Sequence, residues 1–143
     1  MARSFRLASL ARTAAAVAVT ARLDGGTLRL YAGPQPADPD AAPGAAAALL
    51  AECRFADPAF APGRGGAMVA QPLGAARVTA TGAPTWFRAR SRAGVSVFDG
   101  SVGPDGSGAD LELSVSALQA GAELVITSLT YAQPSGADKE PRA

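Results

Sequence analysis

Apolar and polar residues alternate in short runs along most of the chain, and a period of two is the signature of half-buried β-strands. Thr27-Leu28-Arg29-Leu30-Tyr31 is the cleanest case, with Leu28 and Leu30 on one face and Thr27, Arg29 and Tyr31 on the other. Leu49–Phe55 groups Ala51, Cys53 and Phe55 against Glu52 and Arg54. Weaker strands are expected at Ala67–Gln71 and at Ala76–Thr81, where Val78 and Ala80 alternate with Arg77 and Thr79. Thr85–Gly103 reads as two strands joined by an Arg92–Ala93–Gly94 turn. Phe87 and Ala89 share one face of the first and Trp86, Arg88 and Arg90 the other; on the second, Val95 and Val97 alternate with Ser96 and Phe98. Leu111–Val115 and Glu123–Tyr131, divided by a turn at Gln119–Ala122, complete the set.

The N-terminal stretch has a different period. Leu7, Leu10, Ala14, Val17 and Ala21 recur at three- and four-residue spacing with Arg12 nearly opposite, which predicts an amphipathic helix within residues 1–22. A secretory signal is the alternative: Arg3 and Arg6 form its charged end, Thr13–Ala21 its apolar stretch and Ala16–Val17–Ala18 a small-residue cleavage site. Arg12 interrupts that apolar run, which favours the helix. Asp24–Gly25–Gly26 then stops it.

One helix followed by about seven or eight short strands, with no helices placed for crossovers, predicts a mainly β chain: an antiparallel β-sandwich of jelly-roll or Greek-key type. Residues 1–22 form a helix or arm, 23–133 the sandwich domain, and the polar stretch from Pro134 to Ala143 a loose tail. A length of 143 residues with 16 Gly and 11 Pro suits one domain built from many turns. The Pro-rich stretch 33–44, GPQPADPDAAPG, is the longest of the expected loops.

Composition narrows the chemistry. Histidine is absent, which removes the usual general base, the Ser-His and Cys-His pairs and the commonest metal ligand. The single cysteine, Cys53, excludes an intramolecular disulfide, and its place in a strand predicts a buried, inert thiol. A net charge of +1 gives no case for direct nucleic-acid binding, and no apolar run reaches the roughly 20 residues that span a bilayer. Asp38 and Asp40 lack a third ligand at a fixed offset and read as a solvated loop. Asp105, Asp110 and Glu112 fail the offsets of a calcium loop. As paired carboxylates for glycoside hydrolysis they lack an aromatic-lined cleft, since the chain holds one Trp and two Tyr. One Arg64-Gly65-Gly66 triplet without repetition carries no RNA-binding signal. No catalytic, cofactor or metal site is assigned, and the chain is expected not to be an enzyme.

Arg88, Arg90 and Arg92 form a basic stripe at strand spacing. Its plain reading is a solvated outer face. Its functional reading makes Trp86, Arg88 and Arg90 an interface to an acidic partner surface, because Trp beside Arg is the composition of a contact hot spot. A third arrangement packs Trp86 over a sheet edge or the N-terminal helix.

LDGGTLRLYAGPQP (23–36), LLAECRFADPAF (49–60), TATGAPTWFRARSRAGVSVFDGSVG (79–103) and GADLELSVSALQAGAELVITSLT (108–130) follow one another in an order that resembles a family of small proteins encoded by tailed bacteriophages and prophages of GC-rich bacteria. The similarity runs from about Ala14 to Thr130, and Ser114–Ser116 departs from the family's Asn-Ser-Thr-like turn. The resemblance implies a structural component of the virion, a capsid-decorating or head–tail accessory protein assembled in the bacterial cytoplasm. Its implied partners are other virion proteins (major capsid, neck or tail) and further copies of itself. A carbohydrate- or receptor-binding module of a tail or fibre is the alternative.

Overall fold

The computed structural model describes residues 7–126 and 128–132. The fold is mainly β and sandwich-like with one N-terminal helix, as the alternation predicts. Helix α1 covers Ser9–Ala21. Among the described residues ten strands follow: β1 Thr27–Ala32, β2 Ala48–Arg54, β3 Phe60–Pro62, β4 Met68–Ala70, β5 Ala76–Arg77, β6 Trp86–Arg90, β7 Ser96–Pro104, β8 Leu111–Leu113, β9 Glu123–Leu124 and β10 Thr130–Tyr131. The tail expected from Pro134 lies outside the described residues.

The main sheet has the order β2-β1-β6-β7-β8, and two small sheets, β10-β4-β3 and β5-β9, accompany it. All pairs are antiparallel except β7 with β8, where Val102 stands opposite Leu111 and Pro104 opposite Leu113. β3 has no counterpart among the expected strands. It pairs with β4 across the 3-10 turn Arg64–Gly66, so the RGG triplet is a hairpin connection. Glu123–Tyr131 is not one strand: its first residues pair with β5 and its last with β4. The outer edge of β2 is covered by the segment before β6, through Gly74 N–H to Arg54 O and Thr79 N–H to Leu50 O. Covering removes a row of backbone groups that would otherwise template pairing with another chain.

One face of the main sheet supplies Leu28, Leu30, Ala51, Cys53, Phe87, Ala89, Val102, Leu111 and Leu113 to the core. They meet Phe60, Met68, Val78, Leu124, Ile126 and Leu129 from the remainder of the fold. β1, β6 and β8 enter this cluster through alternate residues, the two-residue period turned into burial, while β2 adds the adjacent Leu50 and Ala51 next to its bulge.

The helix forms as expected and is turned the other way. The buried residues of α1 are Ala16 and Thr20, while Leu7, Leu10, Ala14, Val17 and Ala21 are all exposed. Arg12, expected to face solvent, is half-buried with its Nε enclosed. The reason is steric. A Cβ added to Gly66 would stand 2.6 Å from Thr13 Oγ1, so the helix rests close against the backbone of the 3-10 turn. A contact that close accepts Thr13, Ala16 and Thr20 and has no room for leucines.

Candidate functional site

The strand expected to carry the interface residues, β6, lies at the centre of the main sheet, and the register of its neighbours builds a row of charges. Glu52 of β2 stands opposite Arg29 of β1, Arg29 opposite Arg88 of β6, and Arg88 opposite Asp99 of β7. Two arginines directly opposite each other repel. Each is neutralised by its other neighbour: Arg29 Nε donates to Glu52 at 2.6 Å, and Arg88 donates from Nε and Nη2 to the two Asp99 oxygens at 2.8 and 3.0 Å. The outcome is two ion pairs side by side with different surroundings. The Arg29–Glu52 side chains are 32% and 42% exposed, those of Arg88–Asp99 5% and 1%. The first is a surface pair of small net worth; the second is an internal part of the structure.

Arg88 is held on two more sides. Its Nη1 donates to Ala41 O at 2.7 Å, bringing the Pro-rich stretch 33–44 over the sheet. Its guanidinium lies 5.4 Å from the Trp86 ring centroid, a cation–π distance. Trp86 in turn stacks on Tyr31, its cross-strand neighbour, at 4.4 Å and 12°. Thr85 Oγ1 donates to Gly33 O at 2.6 Å, fixing the other end of the loop. The hydrogen bonds to Asp99 raise the Arg88 pKa against the opposing effect of burial, and the charges of Asp99, Tyr31 and Asp38 add to the rise. For Arg29, burial lowers the pKa, and hydrogen bonds to Glu52 and Tyr31 outweigh it.

The expectation for Trp86, Arg88 and Arg90 is therefore corrected. The three do share a face, but Trp86 is 0% and Arg88 4% exposed, so neither faces water nor is open to a partner. Trp86 packs neither on a sheet edge nor on the helix. Arg90 is half-buried and donates from Nε and Nη2 to Gly94 O, bracing the hairpin turn. Arg92 is exposed and pairs with Asp57 at 2.9 Å. Covering the face is the work of residues 33–44, whose composition marks a loop but not its destination. Asp99 and Tyr31 are the residues missed. A bulge between Ala89 and Arg90 sets the hairpin register. It brings Phe98 opposite Ala89 and onto Phe87, at 6.1 Å and edge-on, and leaves Asp99 facing Arg88.

The other candidate groups hold backbone. Asp110 Oδ2 accepts from Ser101 N–H at 2.9 Å and Ser101 Oγ at 3.0 Å. Glu112 accepts from the amides of Gly106 at 3.1 Å and Gly108 at 2.8 Å, which lower its pKa. With Asp105 they line one shallow cleft of about 270 Å³, but among the described residues no three acidic, Cys or His side chains are placed to hold a metal. Asp38 Oδ1 accepts from Asp40 N–H at 2.8 Å, a local turn. Cys53 is buried, and burial together with the Glu52 charge pushes its thiol up to about 11. A second cleft of about 350 Å³ runs beside β7 and is bordered by Pro39, Phe98, Asp110, Leu129 and Tyr131. Among the described residues no helix is long and apolar enough to cross a membrane. No protein-family model, curated protein or solved structure matches the chain.

Proposed function

We propose that this protein is a non-enzymatic structural component of a tailed bacteriophage or prophage particle, a capsid-decorating or head–tail accessory protein assembled in the bacterial cytoplasm. The sequence resemblance supplies the particle. The observation that carries the non-catalytic part is how the acidic side chains are used. Asp99 neutralises a buried arginine, Asp110 and Glu112 pin loop amides, and Asp24 accepts from Ala59 N–H at 2.8 Å. A catalytic carboxylate has to be available to a substrate; Asp24 and Asp99 are turned into their own chain, and Asp110 and Glu112, although at a cleft, are engaged by backbone amides. The aromatic residues support the same reading over a sugar-binding module. Sugar recognition uses exposed rings, whereas Tyr31, Phe55, Phe60, Trp86 and Phe87 are buried, and Phe98 and Tyr131, half-buried beside the cleft along β7, are stacked on each other.

Particles act through many symmetry-related copies, so individually weak contacts sum. The test is co-sedimentation of the purified protein with particles from the bacterium that carries the gene. Saturable binding that competes with the particle's own copies is the expected result. Recovery of all protein in the supernatant, with particles that lack it, overturns the proposal.

A further inference from the structure

The face of the main sheet that carries Tyr31, Trp86 and Arg88 is buried without belonging to the core: neither aromatic joins the hydrophobic cluster on the sheet's other side. The cover is residues 33–44, and it is built unlike the rest of the fold. None of its residues is buried, and only Gly33, Pro36 and Pro43 are half-buried. Its own hydrogen bonds are local, from Ala41 N–H to Asp38 O and from Asp40 N–H to Asp38 Oδ1. Among the described residues two hydrogen bonds tie it to the sheet, Arg88 Nη1 to Ala41 O near its far end and Thr85 Oγ1 to Gly33 O at its base. The base itself is firm: Ala32 pairs with Ala48, and Gly33, at φ +96°, lies so close to Ala46 O that a Cβ would stand 2.5 Å from it.

We propose that residues 33–44 are a strap that lifts off the sheet while the sheet stays folded, uncovering a face that is closed in the resting form. Lifting breaks the bond between Arg88 and Ala41 O, and water takes the place of each partner. The buried ion pair is untouched, because Arg88 Nε and Nη2 stay on Asp99 within the sheet. Trp86 Nε1 is enclosed with no acceptor among the described residues, so it has no bond to lose and gains one to water on opening. The opposing term is re-exposure of the Tyr31–Trp86 stack, whose apolar surface makes the closed form the resting one. Segments with few buried apolar contacts and exposed backbone open locally, at a fraction of the free energy of unfolding. Pro39 of the strap also walls the cleft beside β7, so the same movement widens that cleft. The movement is a property of the fold and does not rest on the particle role.

Trp86 is the only tryptophan, so its indole N–H is a single resolved probe of the covered face. The test is native-state hydrogen exchange of the full chain, followed by NMR at rising urea below the unfolding transition. The indole proton should exchange at least ~100-fold faster than the slowest amides of β1, at a rate that urea hardly changes, because local opening exposes little surface. The amides of Phe87 and Ala89, in the strand that carries Trp86, should stay as slow as those of β1, which separates strap lifting from fraying of the sheet. Leu124→Ala, on the core side of the sheet, should accelerate the β1 amides at least ~10-fold and leave the indole rate within about two-fold. Thr85→Val, which removes the bond at the base of the strap, should speed indole exchange about five-fold. An indole that exchanges only with global unfolding, at the rate and urea dependence of the β1 amides, overturns the proposal in the wild-type protein alone. So does fast exchange shared with the Phe87 and Ala89 amides, or an indole rate unmoved by Thr85→Val.

Discussion

Replacing Arg88 by methionine tests whether the Trp86–Arg88 face is internal structure. The substitution keeps the length of the side chain and removes its charge, leaving the Asp99 carboxylate with its side chain 1% exposed and without its cation. Breaking a buried pair from one side costs about 3–5 kcal/mol, because the remaining charge stays desolvated. The bond to Ala41 O and the cation–π contact with Trp86 are lost as well. For a chain of this size about 1 kcal/mol lowers the midpoint by roughly 3–4 °C, so Arg88→Met should melt on the order of 10–20 °C lower. The double variant Arg88→Met/Asp99→Leu removes the orphaned charge and should recover more than half of the loss. Chemical denaturation of the four proteins in the cycle gives the coupling. An Arg88→Met change under about 1 kcal/mol, or a double variant no better than the sum of the singles, refutes a buried, coupled pair.

Three further outcomes follow from individual groups. With its pKa raised to about 11, Cys53 should react with a thiol reagent at pH 8 at least ~100-fold more slowly in the native protein than after denaturation; a native rate near that of a free thiol contradicts its burial. The Gly106 and Gly108 amide resonances should titrate with Glu112, with a midpoint below the ordinary glutamate value. The lowered pKa means that the stabilisation is complete above the unfolded-state pKa and is lost as pH falls through the folded one. Glu112→Gln should abolish that titration, and a midpoint at or above about 4.3 would count against the clamp. Gly100→Ala places a methyl about 2.5 Å from the Phe87 ring and 3.2 Å from Asp110 Cβ. It should cost about 1–3 kcal/mol in denaturation, partly restored by Phe87→Leu, and a neutral result means that the ring is free to move.

The alternation along β1, β2 and β6 predicts both the strands and which residues face inward, because one face of each meets the common core. Phe87 and Ala89 are buried as the period requires. The same alternation cannot tell whether the second face is wet, since a loop that folds back leaves no periodic trace. Residues 33–44 therefore turn the expected interface at Trp86 and Arg88 into a covered layer. The partner of Arg88 was hidden by the Ala89–Arg90 bulge, which is a property of the hairpin backbone. On α1 the periodicity correctly predicts a helix and groups the residues of one face, but not its direction. Apolar spacing speaks for burial against something, and here the fold takes the face of small residues and leaves the leucines outside. The three-residue strand β3 is too short for any period to register, whereas β5, β9 and β10 are short stretches of the longer runs expected at Ala76–Thr81 and Glu123–Tyr131.

Quantitative mass spectrometry of particles purified from the bacterium that carries the gene tests the proposed role most directly. The account predicts peptides of this chain in a fixed ratio to the major capsid or tail protein, reproducible between preparations and retained through a density gradient. Particles free of the protein, while it accumulates in the same cells, would contradict it.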